Sequence, residues 1–308
     1  QAYDAVYTVT LAAGAANSGD GAAIKDNLTY VANSPGEITN YGGEAFANAA
    51  EVLAAEGGDV NYIGASGQVD IDVSGEMSKG TAQTWKVLNG QIAPIETRDV
   101  DLAAESGDEV PTGELKRAEA PPAEPLVIGV IVTDDEIGTA IDNAAQMAAD
   151  EINGAGGVFG LDVVLAVETI TDASGAGTAA SALIDAGAGV IVGPVAADTA
   201  GPALDEAKGA SVPLLALSSA PELSALDGGG FLFRLTPSLA LQMPVLANLA
   251  LEAEKSTVCV VYANSTAGET LAAAFKKAMD FKEATVRASE AFDPASGDYA
   301  ALLESCIG

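Results

Sequence analysis

From Leu126 onward, short apolar runs alternate with longer segments whose apolar positions fall three and four apart. LVIGVIV is a continuous apolar run, the pattern of a strand buried on both faces of a parallel sheet. DVVLAVE, GVIVGP, PLLALSS, FLFRLTP, TVCVVYA and TVRASEAF read as further strands. Between them lie predicted helices: about Ile141 to Asn153, then TAASALIDA, ADTAGPALDEAKGA, MPVLANLALEAE, AGETLAAAFKKAM and DYAALLESC. Strand and helix take turns, which predicts an α/β fold with parallel sheets and right-handed crossovers.

The first 98 residues follow another rhythm. An amphipathic helix is predicted over residues 2 to 16 and a second from about Asp20 to Ala32, before Ser34-Pro35-Gly36 breaks the chain. A third, EAFANAAEVLAAEGG, is closed by Gly57 and Gly58. After Tyr62 the period drops to two. VDIDV (69 to 73) alternates strictly, and TAQTWKV and QIAPIE flank Leu88-Asn89-Gly90, a hairpin signal that places Trp85 under closing strands. Residues 99–125 lose all periodicity and carry four prolines, the composition of an acidic linker.

Composition narrows the function. The formal charge is -31, from 44 acidic and 13 basic residues, so phosphate backbones and anionic membranes are repelled. Such a surface suits salt, where screening relieves self-repulsion. With no histidine, Ser-His-Asp triads, Cys-His dyads and His-ligated zinc are excluded. GAGGVFG follows a helix, so it is no dinucleotide fingerprint, and the whole chain reads as a non-enzyme needing no cofactor or metal. Cys259 and Cys306 form either one disulfide or two separate buried thiols; the expectation taken here is the disulfide. No run of about 20 apolar residues suggests a membrane span. The chain opens at Gln1 inside a helical pattern and stops after a helix, so both ends read as cuts.

EPLVIGVIV, AAQMAADEINGAGGVFG, ALIDAGAGVIVGPVAADTAGPAL, VPLLALSSAPELS, FLFRLTPSLALQ and VCVVYANSTAGETLAAAFKKAM together resemble the type I periplasmic solute-binding proteins for branched-chain amino acids, in that family's order. Residues 1–98 resemble the family's C-terminal part, so the tail precedes the head. The resemblance implies a two-lobed fold whose order reflects a tandem array, the expectation favoured, a circular permutation, or a chain with a segment left out. Residues 126–248 begin lobe 1 and 249–308 are the first half of an incomplete lobe 2. Residues 1–98 then supply lobe 1 helices and closing strands.

The resemblance also implies a ligand held at the C-terminal ends of the strands, with helix N-terminal amides and hydroxyls on its carboxylate. In Gly193-Pro194-Val195-Ala196-Ala197-Asp198-Thr199, Ala197 stands where the family has Ser or Thr. Asp198 adds a charge opposed to a carboxylate, leaving Thr199 as ligand contact or helix cap. Ser218 and Ser219 match better, as ligand contacts or as simple turn hydroxyls. Tyr262 and Asn264 are the polar candidates in the lobe 2 loop, where Ala263 and Ala267 replace the usual carboxylate and ring. Thr133-Asp134-Asp135-Glu136 reads as a solvated acidic turn, and Arg234 as half of a structural ion pair.

The expected function is an extracytoplasmic solute-binding domain that closes over a small polar, amino-acid-like ligand and passes it to a membrane permease, with no nucleic acid involved. The competing expectation is a degenerate binding fold used as a structural unit of a tandem or filamentous surface protein, associating with copies of itself.

Overall fold

The strand-and-helix alternation is realised in a computed structural model that describes residues 1–33, 35–107, 109–293, 295 and 299–307; Ser34 of the expected break and Gly308 lie outside them. The first part runs α1 (Ala2–Ala16), α2 (Gly21–Ala32), β1 (Glu37–Asn40), α3 (Gly43–Ala54), β2 (Val60–Gly64), β3 (Gly67–Gln68), β4 (Lys79–Leu88), β5 (Gln91–Asp101) and α4 (Leu102–Ser106). It continues with β6 (Val127–Thr133), α5 (Glu136–Gly154), β7 (Val164–Ile170), α6 (Ala176–Asp185), β8 (Val190–Val192), α7 (Ala197–Gly209), β9 (Leu214–Ala216) and β10 (Leu232–Arg234). The last elements are α8 (Gln242–Glu252), β11 (Thr257–Ala263), α9 (Thr266–Phe281), β12 (Thr285–Phe292) and α10 (Ala300–Ile307).

The chain divides into two units, one of residues 1–77, 110–218 and 227–236, the other of residues 78–109, 219–226 and 237–308. In the first, five parallel strands take the order β10-β9-β8-β6-β7. The alternation inside β6 shows why its run is uniformly apolar. Ile128, Val130 and Val132 enter one core with α1 and α5, while Ile131 joins α6 and α7 residues in a second core. Both faces are buried, as a helix-covered parallel sheet requires.

Helix α1 corrects its predicted amphipathic character. Every residue of it except Gly14 is buried, including Asp4, Thr8 and Thr10. Its alanines let α2, α3 and α5 approach from several sides. The threonines are tolerated because each hydroxyl donates to the carbonyl four residues earlier, Thr8 to Asp4 at 2.8 Å and Thr10 to Val6 at 2.7 Å. VDIDV is likewise no strand: only Ile71 makes a bridge, to Met77. Asp72 overrides the alternation, its carboxylate accepting from the Ser74 amide (2.8 Å), the Ser74 hydroxyl (2.6 Å) and the Glu76 amide (3.0 Å) to close a turn.

The expected linker is shorter than its composition suggested. Strand β5 reaches Asp101 and α4 follows it, so only residues beyond about 107 lack helix or strand. Residues 111–118 lie as a strap along α1 and α2. The Ala118 amide donates to Ala16 O (2.8 Å), and Asn27 exchanges two bonds with the Lys116 backbone (2.8 and 3.0 Å). The Asn33 side chain donates to Pro111 O at 2.6 Å. Gly113 sits at φ +73, where a Cβ would lie 2.5 Å from the Tyr30 nitrogen, so that crossing needs glycine.

In the second unit β4 and β5 pair antiparallel through Asn89 and Gly90, both at positive φ, as the Asn-Gly signal predicts. Trp85 does not pack beneath closing strands; it is 55% exposed on the hairpin, opposite Pro94. The other face, through Ala82 and Val100, meets Leu241, Val245 and Leu249. Helix α8 therefore packs within this unit, whose last segment starts at residue 237. Strands β11 and β12 pair in parallel, and Cys259 of β11 is joined to Cys306 of α10, Cα to Cα 5.4 Å.

Candidate functional site

In open parallel sheets, ligands settle beyond the C-terminal ends of the strands. In the first unit those ends carry the turns after β6, β8 and β9. The turn after β8 starts at Gly193 (φ +95), where a Cβ would stand 2.4 Å from Ile131 O. The Gly193 amide donates to Leu215 O (2.9 Å) and the Leu217 amide to Pro194 O (3.0 Å), so the β8 and β9 turns are tied side by side.

Helix α7 starts directly after this turn. Its N-cap is Ala196, which offers no side-chain acceptor to the first-turn amides. Uncapped amides at a helix start carry positive partial charge and suit an anion. Ala197 is half-buried at the first position and Asp198 is exposed beside it. Thr199 is 5% exposed, and its hydroxyl donates to Ala196 O at 2.7 Å, turned into its own helix. Ser218 is buried at the end of the β9 turn.

After β6, Asp135 does the work of a cap. It accepts from the Gly138 amide (2.8 Å) and the Thr133 hydroxyl (2.7 Å), and the Gly138 amide in particular holds its carboxyl below the usual range. Among the described residues no cluster of His, Cys, Asp or Glu is placed to hold a metal ion. Arg234 pairs with Glu76 at 2.6 Å and is 2% exposed.

The second unit repeats the same βα device. Ser265 accepts from the Gly268 amide at 3.1 Å as Asp135 does from Gly138, and the Asn264 amide donates to Phe292 O as the Asp134 amide does to Ile170 O. In both, the glycine is obligatory: a Cβ on Gly138 or Gly268 would sit 1.8 or 2.0 Å from the last strand carbonyl. Tyr262 is half-buried and Asn264 exposed at this turn. Ser219, also half-buried, accepts at its carbonyl from the Leu239 amide at 3.0 Å.

Sequence reasoning missed a buried polar network in the first unit. Asp4 (1% exposed) accepts from the Tyr62 phenol (3.0 Å), the Ala65 and Ser66 amides (2.7 and 3.0 Å) and the Ser66 hydroxyl (2.6 Å). Tyr3 and Tyr7 both donate to Glu151, at 2.5 and 2.8 Å, and burial first, then that carboxylate, push the Tyr3 phenol up to about 12. The one signal available was an aspartate inside an otherwise apolar helical run.

A helix-flanked sheet of parallel strands, with turns opening at its C-terminal edge, is an open α/β architecture, the class that includes the type I periplasmic-binding proteins. The chain belongs to the periplasmic binding protein family, whose model matches residues 126–306. Among solved structures it is similar to the branched-chain amino acid transporter substrate-binding protein of Streptococcus pneumoniae in complex with isoleucine (24% identity, 59% of this chain and 53% of that one, TM-score 0.41). An ABC transporter substrate-binding protein of Desulfitobacterium hafniense shares 24% identity over 59% of this chain and 54% of its own, TM-score 0.48. A solute-binding protein of R. palustris in complex with 4-hydroxybenzoate shares 18% over 59% and 50%, TM-score 0.42. The chain thus spans about half the length of the structures it matches. No curated protein matches it.

Proposed function

We propose that this chain is an extracytoplasmic solute-binding protein of an ABC-type uptake system, one that hands a small polar ligand to a membrane permease. Membership of the periplasmic binding protein family carries the reading. The first unit supports it with uncapped α7 amides beside the buried Ser218 at the C-terminal sheet edge. Ser219, Tyr262 and Asn264 are the further ligand contacts proposed, on the second unit. Residues 1–98 are read as the family's tail set before its head. The common core of Val6, Leu28 and Tyr62 with Ile128 and Val190 supports that order, and the strap is its junction.

The pocket is not tuned to branched-chain amino acids. Ala196 and Ala197 bring no hydroxyl, Thr199 spends its own on Ala196, and Asp198 opposes a carboxylate. Leucine, isoleucine and valine are expected to bind more weakly than about 100 μM, near 5.5 kcal/mol. Calorimetry on the folded chain tests this, and micromolar binding of any of the three overturns it. The same lost hydroxyls favour a second reading, a binding fold retained as an assembly unit that associates with its own copies. Submillimolar, saturable binding of any amino acid or small organic acid decides for transport; self-association on sedimentation with no such ligand decides for assembly.

A further inference from the structure

We infer that the first unit has a second small-molecule site, at the N-terminal edge of its sheet, for an apolar carboxylate about the size of a phenylalkanoate. The site is a cavity of about 240 Å³ between α1, α3 and the turn that precedes β7. Its walls include Leu11, Phe46, Leu53, Val158 and Phe159, and Arg117 of the strap also lines it. It is separate from the α7 amides and Ser218, which lie at the opposite, C-terminal edge, and it does not depend on the transport reading.

Charge complementarity selects the ligand. The chain carries 44 acidic residues in 308, yet none of the residues lining this cavity is acidic, and Arg117 is its one charged group. The guanidinium donates through Nη1 to the Leu53 carbonyl. That carbonyl belongs to the last turn of α3, the negative end of the helix, which would otherwise repel an anion. Arg117 neutralises them, and its remaining N–H groups have no other hydrogen bond among the described residues. A guanidinium so placed offers a carboxylate a charge-assisted, forked contact. The apolar walls take the rest of the ligand: a dry cavity of about 150 Å³ already accepts benzene, so this one holds a ring with a short acid chain. The turn on one side is fixed in an uncommon shape, with Gly157, Phe159 and Gly160 all at positive φ (+67, +60 and +75). Positive φ at a bulky residue marks backbone held by its surroundings, and here it sets the Phe159 ring against the cavity.

Titration of the full chain with 3-phenylpropionate, read by calorimetry and by saturation-transfer NMR, tests the site. Saturable one-to-one binding is expected, about tenfold weaker for the neutral 3-phenylpropanamide and about tenfold weaker in Arg117→Gln. Ala50→Phe, which fills the cavity from α3, is expected to abolish it. Thermal melts establish that each variant folds; should Arg117→Gln fail, the acid-to-amide ratio on the unaltered chain carries the same information. Absence of saturation, equal affinity for acid and amide, or binding that survives in folded Ala50→Phe overturns the proposal.

Discussion

At the scale of single residues, the structure concentrates its risk in two carboxylates. Asp4 is buried to 1% and satisfied by four donors that join α1 to the β2–β3 turn. Asp4→Ala leaves all four without an acceptor, and chemical unfolding is expected to show a loss of about 3 kcal/mol or more. A loss under about 1 kcal/mol would mean water replaces the carboxylate. Glu105 is the second. It accepts from Lys282 Nζ (2.6 Å) and Asn248 (2.9 Å), tying α4 to α8 and to the end of α9. The Lys282 bond, foremost, lowers its carboxyl from the ordinary 4.5. A carboxyl lowered by folding adds stability above its unfolded value and loses it as pH falls through the folded one. Glu105→Gln should therefore be less stable than the parent at pH 7, with the gap closing below pH 4.5. A gap constant from pH 7 down to pH 3 would assign the loss to hydrogen bonding alone.

At the scale of elements, the disulfide is the feature most open to measurement. It spans 47 residues, from β11 across α9 and β12 to α10. In the chain-entropy account a loop of that size stabilises by about 4 kcal/mol. Cys259→Ser with Cys306→Ser should lower stability of this unit by that order. Two reactive thiols in the denatured, unreduced protein would show that no bond had formed. Most elements were legible because their signals were local: the β6 run, the Asn89-Gly90 hairpin and the start of α2 near Asp20 each follow from neighbouring residues. What escaped depends on distant partners. VDIDV alternates like a strand, but the Asp72 side chain outcompetes strand pairing, and nothing near Trp85 in sequence says that its face stays open. The site was legible as positions more than as chemistry. Ser218 and the α7 start lie at the sheet edge that the family resemblance implies, whereas the Thr199 hydroxyl turning inward and Arg117 reaching α3 are facts of packing.

For the whole molecule, charge and the strap lead to separate expectations. A net charge of -31 repels itself in the folded state more than in the expanded one. Raising sodium chloride from about 0.05 to 1 M shortens the screening length from roughly 14 to 3 Å, so the melting temperature should rise. A melting temperature that falls would show that local ion pairs such as Arg98 with Glu252 outweigh the general repulsion. The strap should behave as fixed chain where it is bonded. Hydrogen exchange at the Lys116 and Ala118 amides, which donate to Asn27 and Ala16, is expected to be slow. Exchange as fast there as in a disordered peptide would mean that the segment is only a tether.

The burial of α1 also has a meaning in time. Its tyrosines meet Glu151 across 148 and 144 residues of chain. A ribosome adding about 5 to 20 residues per second makes those 148 residues in roughly 7 to 30 s. Through that interval an alanine-rich apolar helix has been made and its partner has not. Closing so long a loop is slow even after synthesis, so through that interval this helix offers a holding chaperone an unpartnered apolar surface.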